Sequence, residues 1–262
     1  MTRPKTTVRC AVLGTLALFL VSLAGIPGGP FAAASSAGAS GDQPGSAQKG
    51  AASMEDSSRA DPPDRLLRAQ LLPPPDRQGG RRFADLLQRR RSVRSFAPDS
   101  LTMREIGQLL WAAGGTTARD ERFMHRTTPS AGALYPLEFY LLDARGIARY
   151  DAQAHALEWV HAGDRRAELA QAALGQAWVR EAPVVVVIAA EPERTKVKYG
   201  ERGDRYVLME VGLAAQNLLL QAVALDLAGV PVGAFDDRAA DRALALPGNR
   251  SALLIIPLGR PR

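Results

Sequence analysis

The chain of 262 residues contains only one cysteine and three histidines, and this scarcity excludes several kinds of site. The cysteine, Cys10, lies near the N-terminus, where cleavage of the signal peptide predicted below would remove it. The mature chain would then have no disulfide and no cysteine nucleophile, which suits a protein outside the cytosol. The histidines, His125, His155 and His161, do not fall at metal-ligand spacing with acidic partners, so we predict no metal site.

Aromatic residues make up only 6% of the chain, and none is interleaved with the basic run at residues 89–94. The formal net charge of +6 falls to +3 when Arg3, Lys5 and Arg9 leave with the signal peptide. Proteins that bind nucleic acids usually combine a strongly basic surface with recognisable motifs or stacking aromatic side chains. We therefore predict no nucleic-acid partner.

An export signal and a linker precede the part of the chain that can fold. Basic residues are followed by an uncharged apolar run at 11–26 and small residues at 32–35, the order of a secretory signal peptide. The run is shorter than the roughly 20 residues that a membrane span needs, and an uncleaved anchor is the alternative. We predict a signal peptide over 1–34, a disordered Ala/Gly/Ser/Pro-rich linker over 35–79 and one domain over 80–262. The protein is then expected to be periplasmic or extracellular, without a stable membrane span after cleavage.

Within the domain, the apolar pattern predicts both helices and strands. Residues 183–190 (PVVVVIAA) are almost uniformly apolar, which is typical of a central strand covered on both faces. Residues 116–137 are polar and predict turns. The class is therefore α+β, with helices on both faces of a sheet. The other predicted strands are 138–143, 147–150, 157–160 and 253–258, and the predicted helices are 83–91, 102–114 (with a Thr102/Glu105 capping box), 164–174 and 202–228.

The segment RRRSVRSF at 89–96 places four guanidinium groups and two hydroxyls directly after an apolar turn. Arginine presents a planar fork of donors that matches two phosphate oxygens at once. The segment therefore fits a phosphate clamp, although a solvated surface or a nucleic-acid patch has the same composition. The chain ends in PLGRPR at 257–262, whose arginines form either a second arm of the clamp or a frayed basic tail.

Two segments of small residues fit close approach to a flat ligand. Residues 128–136 (TPSAGALYP) have side chains small enough for the backbone to lie against a ring. Residues 230–236 (VPVGAFD) expose N–H groups that stabilise negative charge developing on such a ring. The alternatives are an ordinary loop before a strand and a tight turn before a helix.

A polar stretch, KYGERGDRY at 198–206, precedes the long apolar helix. A lysine beside a tyrosine can carry out proton chemistry if the lysine is buried, and a solvated helix start is the alternative. Gln216 and Asn217 lie inside the apolar helix, where buried amides need partners, and they predict a structural hydrogen-bond network.

Taken in order, these motifs resemble the nitroreductase family of FMN enzymes, specifically its SagB/ThcOx-type dehydrogenase branch. The resemblance covers about 82–262 and depends on RRRSVRSF, PSAGALYPLEFYLL, KYGERGDRY, GLAAQNLLLQAVALDLAGVPVGAFD and PLGRPR. It implies a nitroreductase-like three-layer α/β/α sandwich that forms a homodimer, with FMN at the subunit interface. Ala133 and Gly233 stand where many nitroreductases have Asn and Glu, which favours the SagB-type branch over NAD(P)H-driven nitroreductases.

The resemblance also implies roles for individual residues. A Lys–Tyr pair is associated with azoline oxidation in the SagB-type branch, and Lys198 and Tyr199 fall at that place as the implied catalytic residues. The expected protein is an FMN-dependent oxidoreductase acting on a small-molecule or peptide-derived substrate. An NAD(P)H-dependent nitro- or quinone reductase and a non-catalytic flavin-binding module are the alternatives. The implied FMN contacts are Arg90, Arg91, Ser92, Arg94, Ser130, Ala131, Gly132, Ala133, Gly233, Ala234, Gly259 and Arg260.

Overall fold

The computed structural model describes residues 69–78, 80–120 and 124–262, so the predicted signal peptide and most of the predicted linker lie outside the described residues. The strands are β1 (Gln70–Leu71), β2 (Thr116–Arg119), β3 (Met124–Arg126), β4 (Leu137–Asp143), β5 (Gly146–Asp151), β6 (Ala156–Ala162), β7 (Val184–Ala190), β8 (Ala228–Gly229) and β9 (Ser251–Gly259). The helices are α1 (Phe83–Arg89), α2 (Met103–Gly114), α3 (Arg166–Ala172), α4 (Ala177–Glu181), α5 (Glu193–Tyr199), α6 (Arg202–Ala224) and α7 (Asp237–Leu244).

A seven-stranded sheet in the order β1-β6-β5-β4-β7-β9-β8 forms the centre of the domain, and all its neighbouring strands are antiparallel. Every residue of β4 and of β7 is buried. At one end of β7, Ala190 pairs with Leu137 of β4, and at the other end Val184 pairs with Leu258 of β9. The uniformly apolar β7 thus occupies the central position that its sequence predicts.

Helices cover both faces of this sheet. Alternate side chains of β7 point to opposite faces and therefore enter two different core clusters. Val186 and Ile188 belong to a core cluster that α2 and α6 complete, through Leu110 and Leu218 among others. Val185 and Val187 belong to a second cluster, with residues of α3, α4 and α7 such as Leu169, Val179 and Leu244. The predicted three-layer α/β/α sandwich is therefore confirmed.

Local signals set the ends of α2. The side-chain oxygen of Thr102 accepts the Glu105 N–H at 3.2 Å, and the Glu105 carboxylate accepts the Thr102 N–H at 2.7 Å, which is the predicted capping box. At the other end, a Cβ on Gly114 would lie 2.4 Å from the Phe139 ring. Glycine is needed there because the helix end lies directly against β4.

Residues 116–137, predicted as turns, also contain a short hairpin. Strands β2 and β3 pair antiparallel, and the Thr116 hydroxyl donates to the Ala152 carbonyl at 2.7 Å. The polar β2 sequence TTAR lacks the apolar alternation that predicts a strand. The strand is instead stabilised by contacts with another part of the chain. Helix α5 was not predicted either, because its polar sequence ERTKVKY shows no clear apolar face.

The domain starts earlier than residue 80, so the predicted linker over 35–79 is wrong in its last part. Gln70 of β1 pairs with Leu157 of β6, and the Leu72 N–H donates to the His155 carbonyl at 3.0 Å. Gln108 of α2 exchanges two hydrogen bonds with the Asp76 main chain, at 2.7 and 3.0 Å. The composition of this segment suggested that it could not offset the entropy cost of becoming ordered. Main-chain pairing and the burial of Leu72 do offset that cost.

Replacing Leu72 by alanine should destabilise the domain by about 2–5 kcal/mol, because its side chain is 6% exposed in the main core cluster. Replacing its neighbour Leu71, which is 73% exposed, should change the free energy of unfolding by less than about 0.5 kcal/mol. Urea unfolding of the two variants measures the difference. Equal stabilities would show that residues 70–76 do not belong to the folded domain.

Candidate functional site

The arginine segment, residues 90–94, runs beside two other parts of the chain. After α1 the Val93 N–H donates to the Gly229 carbonyl at 3.2 Å. A few residues further, the Ala97 N–H donates to the Arg260 carbonyl at 2.9 Å. The main chain just after the arginine segment thus lies beside the main chain of Arg260 at the end of the domain.

The arginine segment has no ion-pair partner among the described residues, unlike the residue before it. Arg89 pairs with Asp226 at 3.3 Å. Arg91 donates to main-chain carbonyls instead, at 2.7 and 2.8 Å, and the Arg94 guanidinium lies 5.5 Å from the centroid of the Trp178 ring. Asp226 lines the same cavity as Arg91 but pairs with Arg81 and Arg89, so the guanidinium groups of the arginine segment keep positive charge that an anion can meet.

Arg260 is anchored on one side only. Its Nη2 donates to Glu105 Oε1 at 2.7 Å, whereas its Nη1 is buried without a hydrogen-bond partner in the described part of the chain. The preceding Gly259 has a packing role, since a Cβ there would lie 2.9 Å from Pro183 Cδ and 3.0 Å from Phe96 Cβ. Packing alone explains that glycine, and the arginine supplies the polar group.

Gly233 and Ala234 extend the same edge of the sheet. Val232 exchanges two main-chain hydrogen bonds with Ile255 of β9, at 2.8 and 3.1 Å. The next two residues are exposed, and neither of their N–H groups donates to an acceptor within the described residues. The Ala234 carbonyl accepts from Gln176 Nε2 at 3.0 Å, which holds the segment in place. These N–H groups therefore fit the predicted donor role.

The loop before β4, residues 129–135, has an unusual backbone. Ser130 precedes a short 3₁₀ turn, Ala131–Ala133. Gly132, Ala133 and Tyr135 all have left-handed φ, at 63°, 55° and 47°. For residues other than glycine this conformation costs of order 1–3 kcal/mol each and persists only where surrounding structure enforces it.

Hydrogen bonds from inside the loop and from α6 hold this shape. The Ser130 Oγ accepts the Tyr135 N–H at 2.9 Å and closes the loop. Asn217 of α6 donates to the Thr128 hydroxyl oxygen at 3.2 Å, and that hydroxyl donates to the Ala113 carbonyl at 2.8 Å. The structural network predicted for Asn217 is confirmed, whereas the burial predicted for Gln216 is wrong, because that residue lies on the exposed side of α6.

Lys198 and Tyr199 lie against this loop, at the end of α5. A Cβ built on Gly132 would come within 3.0 Å of the Tyr199 hydroxyl oxygen and 3.1 Å of Lys198 Nζ. The Lys198 Nζ lies 5.4 Å from the Tyr199 ring centroid, and that ring packs edge-on against Tyr206 at 5.1 Å. The structure thus brings the two predicted catalytic residues to the predicted ligand loop. Lys198 is exposed in the single chain, so the burial that a base role requires must come from a ligand or another subunit.

Glu210, which the sequence did not single out, lies on the other side of the loop. Burial raises the pKa of its carboxyl from 4.5 to about 7, while a hydrogen bond from Ser130 and the charge of Arg126 act in the opposite direction. Burial lowers the pKa of Arg126, whose guanidinium lies 4.6 Å from the Tyr135 ring centroid. An acidic residue within the apolar sequence YVLMEVGLAA was the available signal for this position.

Two of the three groups of predicted flavin contacts, the arginine group with Arg260 and the loop at 129–135, lie at opposite ends of the central strands. Gly259 ends β9 beside the start of β7, whereas the loop at 129–135 enters β4 beside Ala190, the last residue of β7. Six residue steps along β7 correspond to about 20 Å. Among the described residues, no hydrogen bond or ion pair joins the loop group to the arginine group.

The histidines have structural surroundings. His155 bonds the Tyr150 hydroxyl at 2.8 Å and the Pro73 carbonyl at 3.0 Å, and exposed His125 bonds Asp120 at 2.8 Å. In the described ranges, no cluster of three or more His, Cys, Asp or Glu side chains could hold a metal ion.

A model of the nitroreductase family matches residues 87–260 of this chain. The chain belongs to the nitroreductase family. Members of this family are oxidoreductases that are generally flavin-dependent. A Methanocaldococcus jannaschii protein named as a nitroreductase is 43% identical over 186 residues, which cover 68% of this chain and 91% of that protein.

Solved structures also resemble this chain. A Ralstonia eutropha protein named as a nitroreductase superposes with a TM-score of 0.67 and 26% identity, covering 76% of this chain and 92% of its own. A chain of the E. coli microcin synthetase complex, solved with truncated pro-MccB17 bound, superposes with a TM-score of 0.56 and 25% identity. That match covers 64% of this chain and 67% of the microcin synthetase chain.

Replacing Glu210 by glutamine should remove a pH dependence of stability. The folded pKa of about 7 lies above the ordinary 4.5, so the folded state favours the protonated carboxyl. The stability that this proton supplies is complete below pH 4.5 and is lost as the pH rises through 7, by up to about 3 kcal/mol. Urea unfolding at pH 5 and pH 8 should therefore show a smaller loss in E210Q than in wild type. Asp204→Asn, an exposed carboxyl on the same helix, is the control, and identical pH profiles of E210Q and wild type would contradict the burial of Glu210.

Proposed function

We propose that this chain is an FMN-dependent oxidoreductase of the SagB-type dehydrogenase branch, which transfers a hydride between a small or peptide-derived substrate and bound flavin. The observation that carries the proposal is the arginine segment at 90–94, which forms no ion pair among the described residues and runs along the edge of the sheet beside Gly229. Arg90, Arg91 and Arg94 form no ion pair in the described chain, and the Ala97 N–H, shortly after them, donates to the Arg260 carbonyl. Such a group matches a phosphate dianion, which arginine forks bind through paired hydrogen bonds.

Two buried donors without partners support an anionic ligand at this edge. The Trp178 Nε1, in the ring that Arg94 covers, is buried and has no hydrogen-bond partner within the described residues. The Nη1 of Arg260 is likewise buried and has no hydrogen-bond partner within the described residues. Buried polar groups nearly always have a partner, so the residues present fit a cofactor phosphate. Arg90, Ser92, Arg94 and Arg260 would hold it.

Gly233 and Ala234 would serve the ring of the flavin. Bound flavin supplies a hydride acceptor. The exposed N–H groups of these two residues would donate to the ring edge and stabilise negative charge there. Gln176, which binds the Ala234 carbonyl, would keep both N–H groups in a fixed direction.

A second copy of the chain would complete the site. The loop at 129–135 and the end of β9 lie on opposite ends of β7, about 20 Å apart along the strand. One chain therefore offers two half-sites, and a homodimer would place the loop of one subunit over the flavin held by the other. Leu208, Met209 and Leu213 on α6 are 60%, 52% and 48% exposed and would be covered in such a dimer.

Lys198 and Tyr199 would then manage the substrate's protons. The Lys198 Nζ would accept a proton from the substrate, and the Tyr199 hydroxyl would orient the substrate or relay that proton. Both groups lie against Gly132, so a substrate stacked at the loop would be within their reach. Substrate and the second subunit together would exclude water from the lysine.

The similarity to a chain of the microcin synthetase complex, solved with truncated pro-MccB17 bound, supports a peptide-derived substrate. The export signal predicted over 1–34 would place this chemistry in the periplasm or outside the cell, with a membrane anchor if the signal is not cleaved. Nicotinamide donors are scarce there, which favours oxidation of a substrate by the flavin over NAD(P)H-driven reduction.

Purified protein should show flavin absorbance or bind added FMN, and Arg94→Ala should weaken FMN binding about 10- to 100-fold through loss of a charge-assisted contact. Arg89→Ala, next to the clamp but paired with Asp226, is the control and should bind FMN as wild type does. Flavin fluorescence titration gives both affinities. Failure of the wild type to bind FMN would refute the proposal.

The same titration tests the shared site when two defective chains are mixed. Gly132→Val should block the loop, because its side chain would meet Lys198 and Tyr199. After refolding together, R94A and G132V chains should recover about a quarter of the FMN sites, since half of the dimers combine both chains and carry one intact site. No recovery would show that clamp and loop act within one chain.

Lys198→Ala should lower the rate of flavin reduction by a candidate substrate about 100-fold or more, with FMN affinity unchanged. Lys196→Ala, on the same helix but paired with Glu193 and Asp204, is the matched control. Stopped-flow absorbance of the flavin measures the rates. Equal rates in the two variants would remove the role of Lys198, and rapid bleaching by NADPH would favour an NAD(P)H-dependent reductase.

A further inference from the structure

Glu210 differs from the other buried acids of the described chain. Glu138 and Asp143 pair with arginines, whereas Glu210 is 5% exposed and forms no ion pair within the described residues. Buried charged groups in proteins are usually paired or coordinate a metal. A ligand with a positive charge would therefore complete the surroundings of the Glu210 carboxyl.

Glu210 lines a cavity of about 290 Å³ between α6 and the loop at 129–135. Pro129 and Ala131 border the cavity on the loop side, and Met209 and Leu213 border it on the helix side. These side chains are apolar, and an apolar cavity of about 150 Å³ is already large enough to hold benzene. The cavity therefore has room for a small organic group, and among the described residues that line it only Glu210 carries a formal charge.

The other polar groups around this cavity do not neutralise the carboxylate. Ser130 and Tyr206 line it with hydroxyls, which bring no positive charge. The charge of Arg126 acts on Glu210, but Arg126 does not line the cavity and forms no ion pair with Glu210 in the described chain. A carboxylate has about four acceptor positions on its two oxygens, more than one neighbouring hydroxyl can fill. Acceptor positions therefore remain for a ligand.

We propose that this cavity binds a primary ammonium group of the substrate, with the Glu210 carboxylate as its acceptor and the apolar walls around its carbon stem. An ammonium group brings three donors and a positive charge, which suit a carboxylate that has no ion pair in the described chain. A peptide carries such a group at its amino terminus or on a lysine side chain. Glu210 is then a specificity-determining residue, because a neutral analogue leaves the carboxylate without a counter-charge.

The cavity adjoins the place of the proposed chemistry. Ala131 lines the cavity, and the next residue, Gly132, lies against Lys198 and Tyr199. A substrate held by its ammonium group extends along the loop toward this pair. The inference rests on the proposed function for the reaction that follows, whereas binding of the ammonium group needs only the cavity.

Ionisation of Glu210 controls this binding, because only the carboxylate attracts an ammonium group. Burial raises the pKa of Glu210 to about 7, so its ionised fraction increases between pH 6 and pH 8. The other charged or titratable groups that face the loop and the cavity are Arg126 from β3, Tyr206 from α6, and Lys198 and Tyr199 from α5. None of them is a carboxyl or an imidazole. The apparent affinity for an ammonium group follows the ionised fraction of Glu210, which gives an increase of about 10-fold between these pH values.

Binding of two small probes to the full chain as purified tests the proposal. Nα-acetyl-lysine amide carries the ammonium group, and Nα-acetyl-norleucine amide has the same four-carbon side chain without it. Chemical-shift titration of the Met209 methyl group, which lines the cavity, gives the affinities at this site. At pH 7 the lysine probe should bind about 10-fold more tightly than the norleucine probe, as expected for a charge-assisted hydrogen bond.

Glu210→Gln should abolish the preference for the lysine probe, because the amide carries no charge, and should leave the affinity for the norleucine probe unchanged. Asp204→Asn, which removes an exposed carboxyl on the same helix, is the matched control and should keep the wild-type preference.

A measurement on wild type alone decides the question if E210Q does not fold. The affinity for the lysine probe should rise about 10-fold from pH 6 to pH 8, whereas the affinity for the norleucine probe should stay constant. Equal affinities of the two probes in wild type, or a preference for the lysine probe that persists in E210Q, would overturn the inference.

Leucine amide, whose ammonium group is at the amino terminus, distinguishes the two sources of this group. If it binds more tightly than the lysine probe at pH 7, the cavity takes an amino terminus, and the reverse order assigns a lysine side chain. None of these titrations needs flavin. Failure to bind FMN would therefore refute the proposed function alone, while the probe affinities would still decide the role of Glu210.

Discussion

Burial of β7 on both faces is the constraint on which the rest of the structure depends. All seven residues from Val184 to Ala190 are apolar and buried, so each face of the sheet must be covered by helices. The polar groups that bind ligands are then confined to the ends of the strands and to the β8–β9 edge. Because the clamp lies at one end of β7 and the loop at the other, each chain presents two separate parts of the proposed flavin site. The dimer proposed for this enzyme follows from that separation.

The arginines of this domain fall into two groups: some pair with carboxylates, and others form no ion pair among the described residues. Arg149, Arg194 and Arg250 surround Glu138 with opposite charge, and this network ties β4, β5 and α5 to the region before β9. The arginine segment at 90–94 has no such acidic partner among the described residues. Half-buried, paired guanidinium groups serve the fold, whereas unpaired groups at an edge keep the positive field that attracts an anion. Composition alone cannot separate these two uses, because both are arginine.

The loop before β4 stores strain at the place where the proposed chemistry occurs. Ala133 and Tyr135 have left-handed backbone conformations that an isolated chain would avoid. Asn217 and the Ser130 hydroxyl hold this shape by hydrogen bonds. The strained backbone of this loop therefore lies at the place where the proposed substrate would bind.

The sequence by itself determined the elements with strong local signals. The β-branched run of β7, the capping box of α2 and the order of five motifs predicted the sandwich and the nitroreductase family, because periodicity, caps and motif spacing lie within short stretches. Most of the proposed site residues were also named by those motifs, including the pair Lys198 and Tyr199. Their mutual proximity at Gly132 was not, since it depends on how α5 packs beside the loop.

Only the tertiary structure decided where distant segments meet. The pairing of Gln70–Leu71 with β6, the polar hairpin β2–β3, the separation of clamp and loop, and the burial of Glu210 all involve residues far apart in the chain. Strand pairing and burial depend on contacts between distant segments, which no local sequence pattern encodes. Glu210 is an acid within an apolar stretch of sequence, but only packing decides that its carboxyl is buried and that its pKa is raised.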